Sequence, residues 1–75
     1  MQSTTTEEVA AEVRAHCARQ RVSQRDLAKV LGVSHATLFR RFSGEVAFDV
    51  EELAAVAEYL NLPLSALLPA DKASA

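Results

Sequence analysis

Apolar residues recur every four positions between Val9 and Cys17, which is the spacing of one buried face on a helix. Just before this stretch, Thr5 and Glu8 stand three residues apart, an arrangement typical of a capping box at a helix N-terminus. The pattern therefore predicts a first helix over about 6–20, with its apolar face turned toward a core.

Residues 23–44, SQRDLAKVLGVSHATLFRRFSG, contain the same local pattern twice. Ser23 and Ser34 each precede a helical run that they are suited to cap, and a glycine, Gly32 or Gly44, follows each run. The apolar positions within the runs have helical spacing and are Leu27, Ala28, Leu31, Leu38 and Phe42. Two short capped helices joined by a tight turn are typical of the helix-turn-helix unit, whose second helix enters the DNA major groove.

Two further helices are predicted after this unit. Asp49 and Glu52 have the spacing of a capping box, from which a fourth helix is expected to run to about Asn61. Pro63 suits the first turn of a short last helix, which Pro69 ends. The resulting expectation is five helices.

Length and composition agree with one small helical domain. The chain has 75 residues, 49% of them apolar, and only two glycines and two prolines, which favours an all-α fold over a turn-rich β fold. We expect residues 1–75 to form a single domain that is ordered over about 5–69, with residues 70–75 as a flexible tail.

The net charge of −2 conceals an uneven distribution. Residues 1–13 carry −3, residues 14–44 carry +6, and residues 45–75 carry −5. Because a local basic surface is what attracts a phosphate backbone, the positive segment matters more than the total charge. A solvated helical surface with chance clustering is the alternative.

Other kinds of chemistry find little support in the sequence. Cys17 is the only cysteine, so no intramolecular disulfide forms, and its place on the apolar face is typical of a core residue rather than a reactive thiol. His16 has no second ligand at a suitable spacing, so no metal site is expected. Without a nucleophile–base pair or a phosphate-binding glycine loop, we expect no enzyme, no cofactor and no small-molecule substrate.

Nothing in the sequence points to a membrane. No apolar run approaches the ~18 residues of a membrane span, and the N-terminus lacks the pattern of a secretory signal. A cytoplasmic protein, of a bacterial cell or a phage-infected host, is the resulting expectation.

The second helix of the unit places particular residues on its outward side. With Leu38 and Phe42 turned inward, Arg40 points outward, and its planar fork suits guanine O6 and N7. The residues of this helix predicted to contact bases are His35, Ala36, Thr37 and Arg40, while Ser34 just before it is placed to donate to a phosphate. The predicted backbone-contacting residues are Arg19, Arg21, Gln24, Arg25, Arg41 and Ser43. Structural alternatives exist: Arg19 and Arg21 also suit a helix C-terminus, Ser34 a cap, and Ser43 a helix end.

Phe39 has three alternatives at this stage. Its ring contacts a thymine methyl group, packs on the preceding helix, or supports a partner, and packing is the favoured one.

The chain resembles the Cro and phage-repressor class of helix-turn-helix domains, also called XRE-type. The resemblance rests on S-Q-x-x-L-A-x-x-L-G-V-S-x-x-T-L at 23–38, on Gly44, and on E-L-A-x-V-A-x-Y-L-x-L-P-L-S-A-L-L at 52–68. It implies a compact five-helix bundle of the phage-repressor type, with the helix-turn-helix at helices 2 and 3. It also implies backbone contacts by Gln24 and Ser43 and base contacts by Ser34, His35, Ala36, Thr37 and Arg40. Two residues depart from the family pattern: Arg41 stands where an apolar residue is common, and Ala36 stands where a longer base-reading side chain is common.

The resulting hypothesis is a sequence-specific regulator, a repressor or Cro-like protein, that binds a double-stranded DNA operator as a homodimer. Tyr59, Leu64, Leu67 and Leu68 are the candidates for the dimer surface, and core packing of all four is an equal alternative. A second hypothesis keeps the fold but makes the chain a protein-interaction module of the antitoxin or adaptor kind, which binds another protein through its acidic ends.

Overall fold

Four α-helices and one short 3-10 helix follow each other in the computed structural model, which describes residues 2–69. They are α1 (Gln2–Arg19), α2 (Gln24–Leu31), α3 (His35–Ser43), α4 (Val50–Leu60) and the 3-10 helix (Leu64–Leu67). Every regular element of the described part is therefore helical, as the all-α prediction required. The predicted tail, residues 70–75, lies outside the described residues.

The short last helix expected between the two prolines is present as a four-residue 3-10 helix, so residues 2–69 contain four α-helices and the predicted count of five is not confirmed. Pro63 precedes this 3-10 helix and Pro69 follows Leu68, so only five residues separate the two prolines. A residue before proline is disfavoured in the α region, and Leu68 is extended with φ −103° and ψ 153°. The segment between the prolines is therefore too short for more than one tight turn.

The start of α1 also differs from the prediction. The helix begins at Gln2, so Thr5 lies inside it, and the capping box expected from Thr5 and Glu8 is not its N-terminus. A capping box is a local signal, whereas the N-terminal half of α1 makes a tertiary contact. A Cβ built on Gly44 would lie 3.3 Å from Cα of Glu7, so α1 packs closely against the end of α3.

The core lies where the helices face each other and consists of the predicted apolar faces. Leu27, Leu38, Val56 and Leu67 are fully buried, and Cys17 is 2% exposed. The remaining core residues are Val9, Val13, Ala28, Phe42, Phe48, Leu53, Ala57 and Leu60. Burial raises the pKa of the Cys17 thiol, which agrees with its prediction as a core residue.

The predicted capping box of α4 is confirmed. The Asp49 carboxylate accepts from the Glu52 backbone N–H at 2.7 Å, and the Glu52 carboxylate accepts from the Asp49 N–H at 3.0 Å. Asn61 ends the helix in the left-handed conformation, with φ 60°. The Gln20 side chain donates to the Leu60 carbonyl at 2.8 Å and so connects the end of α1 to the end of α4.

No helix in residues 2–69 has both the length and the apolar character that crossing a bilayer requires.

Candidate nucleic-acid interface

The turn between α2 and α3 is fixed by backbone and hydroxyl hydrogen bonds. Gly32 adopts the left-handed conformation with φ 68°, and the N–H of Val33 donates to the Ala28 carbonyl at 3.1 Å, which closes the end of α2. The Ser34 hydroxyl then accepts from the Thr37 N–H at 3.1 Å and begins α3. The orientation of α3 relative to α2 is therefore set within three residues.

The first helix of this pair has the matching cap. Ser23 is extended, and its hydroxyl accepts from the Asp26 N–H at 3.0 Å. At the far end of α3, Gly44 is left-handed with φ 86°. The two caps and two glycine stops predicted from the sequence are all confirmed.

The two sides of α3 differ in exposure as its helical period predicts. Leu38 is fully buried and Phe42 is 7% exposed, so these two side chains attach the helix to the core. Exposed side chains cover the opposite surface of the helix and are His35, Ala36, Phe39, Arg40 and Ser43. Thr37 is partly buried. Four of the five predicted base-contacting residues thus lie on α3, with Thr37 partly buried and the other three exposed, and Ser34 precedes the helix as its N-cap.

Two of the serine hydroxyls that were predicted to contact DNA already have hydrogen-bond partners within the chain. Ser34 accepts from Thr37 N–H and also donates to the Thr37 hydroxyl at 3.1 Å. Ser43 donates to the Arg40 carbonyl at 3.0 Å. Both serines are exposed, so each has a capping role first, and contact with DNA remains a prediction for them.

Four of the predicted backbone-contacting residues lie together along the chain. Arg19 is at the end of α1, Arg21 is in the connection, and Gln24 and Arg25 begin α2; all four are exposed. Arg21 has φ 59°, the left-handed conformation that glycine usually supplies at a helix end.

Arg19 contacts Nδ1 of His16 at 3.1 Å, and Nε2 of that ring lies 3.8 Å from Glu12. The structure therefore gives His16 two neighbours on its own helix.

Arg41 has a partner that the sequence did not reveal. Its Nε donates to Oε1 of Glu52 at 2.7 Å, and the two side chains are only 20% and 14% exposed. The hydrogen bond with Glu52 raises the pKa of Arg41 above its ordinary value. Since the same carboxylate oxygen accepts from Asp49 N–H, the ion pair joins α3 to the capping box of α4. The expected phosphate contact by Arg41 is therefore less favoured than a structural role.

Comparison with known proteins supports the assignment of the fold. A family model described as helix-turn-helix matches residues 13–67, which is well over half of the chain. The chain belongs to the XRE-type helix-turn-helix family. A solved structure, the DNA-binding domain of BldD, is similar with a TM-score of 0.77 and 24% identity, and the match covers 92% of this chain and 100% of that one. No curated protein matches this chain significantly.

Two further features of this helix-turn-helix domain were not predicted from its sequence. Arg14 Nη1 donates to the Phe42 carbonyl and thereby connects α1 to the last turn of α3. Phe39 is 60% exposed, so the packing favoured for it is wrong. The signal for Arg41 was present in the opposite charges of Arg41 and the acidic start of α4, but no local rule says which cation approaches which acid.

Proposed function

We propose that this helix-turn-helix domain is a sequence-specific regulator that binds double-stranded DNA and reads the major groove with α3. The observation that carries the proposal is the exposed side of α3, which presents Arg40 while Leu38 and Phe42 hold the helix to the core. A recognition helix has to be rigid and outward-facing to hold base contacts in register. The family match supports the same function, and so does the name of the similar BldD domain.

Base discrimination is assigned to the outward side of α3. A bidentate contact from Arg40 to guanine is worth about 1–3 kcal/mol against the wrong base. His35 offers a ring nitrogen in the first turn, and Ala36 and Thr37 offer methyl groups for thymine. The Ser34 hydroxyl already caps α3, so it can contact a base only through the hydrogen-bonding capacity that the cap leaves unused.

Backbone contacts are assigned to exposed residues outside the centre of that surface. They are Arg19, Arg21, Gln24, Arg25 and Ser43. Phosphate contacts fix register and supply affinity that is independent of sequence. Arg41 acts instead through its ion pair with Glu52, which connects α3 to α4.

We further propose that the domain binds DNA as a homodimer on two half-sites about one helical turn apart. Of the four candidates for the dimer surface, Leu67 is fully buried and belongs to the core. The other three are exposed apolar side chains: Tyr59 at 48%, Leu64 at 37% and Leu68 at 40%. A single small domain buries little DNA interface, so pairing through these residues increases affinity.

In this proposal the protein is cytoplasmic and acts as a repressor of the phage or Cro-like type, which occupies an operator and excludes polymerase. Its acidic C-terminal part, with −5 over residues 45–75, limits non-specific attraction to DNA. Binding is therefore expected to depend on the correct sequence more than on charge alone.

Selection of bound duplexes from random DNA, followed by salt titration on the selected site, tests the proposal. The expected result is a two-fold symmetric site and a log–log salt slope of about −0.9 for each phosphate contacted. Arg40→Ala should relax the preference at one base pair in each half-site, whereas Arg19→Ala should weaken all sequences alike.

Lys29→Ala is the matched control, since Lys29 is an exposed cation outside the proposed interface. Failure to retain any duplex at low salt would contradict DNA binding and favour the protein-interaction module. Retention of duplexes without base preference would contradict only the sequence-specific part.

A further inference from the structure

One aromatic side chain of α3 is largely exposed and lies outside the core. Phe39 is 60% exposed, against 7% for Phe42 and 8% for Phe48. It belongs neither to the buried core nor to the partly buried apolar residues packed on that core, which are Val22, Leu31, Val33 and Leu62. A ring left mostly in water forgoes much of the stabilisation that burial gives, so core packing does not account for its presence.

The neighbours of Phe39 on the helix surface are known from its spacing. Ala36 precedes it by three residues, so the two side chains are adjacent on the outward side, and both are exposed. Arg40 follows directly and is also exposed. The ring and the Ala36 methyl therefore form one apolar strip beside the guanidinium proposed to contact guanine.

The chemistry of phenylalanine restricts what this strip can recognise. The ring has no hydrogen-bond donor or acceptor, so it cannot distinguish base edges by their polar groups. The apolar group that the major groove offers is the C5-methyl group of thymine. A methyl group at C5 of cytosine occupies the equivalent position of its base and has the same chemistry.

We propose that Phe39 is a specificity-determining residue, which together with Ala36 contacts the C5-methyl group of a pyrimidine near the base pair contacted by Arg40. This inference rests on the proposed function, because it requires α3 to lie in the major groove. Some of the proposed base-contacting residues discriminate by hydrogen bonds. Phe39 joins them as a residue that discriminates by apolar contact.

The test uses the full chain and the site that it selects. Each thymine of the selected duplex is replaced, one at a time, by uracil, which differs only in lacking the methyl group. One position in each half-site should lose affinity about fourfold for the unmodified protein, the effect of one buried carbon. Phe39→Ala should lose most of this difference between the thymine and uracil duplexes, because only the Ala36 methyl remains.

A second pair of duplexes separates the two sources of the methyl group. Cytosine or 5-methylcytosine is placed at the sensitive position, paired with guanine. If methylation of cytosine increases affinity for the unmodified protein but not for Phe39→Ala, the contact is with the methyl group itself. If only thymine has the effect, the contact is with the methyl group of a thymine–adenine pair; both results support the proposal.

Val50→Ala is the matched control, because Val50 is a 72% exposed apolar residue on α4 and its loss should leave the methyl dependence intact. Thermal unfolding of Phe39→Ala should match that of the unmodified protein, which separates recognition from folding. The proposal is overturned if Phe39→Ala keeps the uracil penalty, if it weakens all sequences alike, or if no thymine methyl matters to an unmodified protein that still selects its site. Absence of binding to any duplex would instead refute the proposed function, a distinct outcome.

Discussion

The inward and outward sides of α3 differ in their contacts and exposure. On the inward side, Leu38 and Phe42 enter the core, and Arg41 pairs with Glu52. On the outward side, Phe39 and Arg40 are exposed. The inward contacts hold the helix, while the outward side chains remain available to a partner.

Arg40 and Arg41 show how sharply this difference falls within the sequence. They are identical, consecutive residues, but about 100° separates consecutive positions around a helix. One is exposed, and the other is 20% exposed and bonded to a carboxylate. A cluster of basic residues in a sequence therefore contributes to a binding surface only through those cations that the fold leaves without an acidic partner.

Removing an inward side chain should have the largest effect on stability. Leu38→Ala leaves a cavity at a fully buried site, so the free energy of unfolding should fall by about 2–5 kcal/mol. Phe39→Ala, one position away, should change it by less than about 0.5 kcal/mol. Chemical denaturation of the two variants measures both values, and similar losses would contradict the division of α3 into two sides.

Replacing the glycine that ends α3 should destabilise the fold more than replacing the glycine that ends α2. Gly44→Ala places a Cβ at φ 86° and 3.1 Å from Cγ of Glu7, so a loss of about 2–3 kcal/mol is expected. Gly32→Ala has the same kind of backbone strain, at φ 68°, but among the described residues its Cβ meets no atom within 4 Å. Its loss should be about 1 kcal/mol, which denaturation can distinguish. Equal losses would show that crowding of the added Cβ against Glu7 of α1 does not reduce stability.

The ion pair of Arg41 with Glu52 should contribute less to the free energy of unfolding, and a double-mutant cycle isolates its contribution. Arg41→Met, Glu52→Gln and the double variant should give a coupling energy of about 0.5–1 kcal/mol, because the pair is partly shielded from water. Arg40→Met combined with Glu52→Gln is the control and should show no coupling. On DNA, Glu52→Gln should also release Arg41 and steepen the salt slope; an unchanged slope would limit the role of Glu52 to folding.

A similarly small effect is expected from the contact between α1 and the end of α3. Arg14 donates to the Phe42 carbonyl, where a cation also interacts favourably with the helix dipole. Arg14→Met should therefore reduce the free energy of unfolding by about 0.5–1 kcal/mol. Arg25→Met, which removes an exposed cation from the start of α2, should not destabilise the fold in the same measurement. A larger loss for Arg25→Met would contradict the assignment.

Local signals predicted most of the helix ends correctly. Ser23, Ser34 and Asp49 begin their helices as expected, and Gly32 and Gly44 end theirs. These predictions succeed because a cap involves only residues two to four positions apart, whose contact depends on little else. The apolar faces were predicted for a similar reason, since the helical period decides which residues turn inward together.

Predictions that depended on more distant residues were less reliable. The predicted start of α1 was wrong, because tertiary packing as well as local caps decides how far a helix extends. The 3-10 form of the last helix has a local cause instead, the two prolines that flank it. Within the site, the outward position of Arg40 was predicted, whereas the engagement of Arg41 and the exposure of Phe39 were not.

The sequence by itself determined the capped helix-turn-helix, the buried face of each helix and the position of the positive segment, because these follow from spacing along one chain. Only the tertiary structure decided which cations are paired and which side chains of α3 stay uncovered. Such contacts join residues that are distant in sequence, for example Arg14 with Phe42 and Arg41 with Glu52. Their energies depend on distance and on exclusion of water, and neither is fixed until the helices have packed.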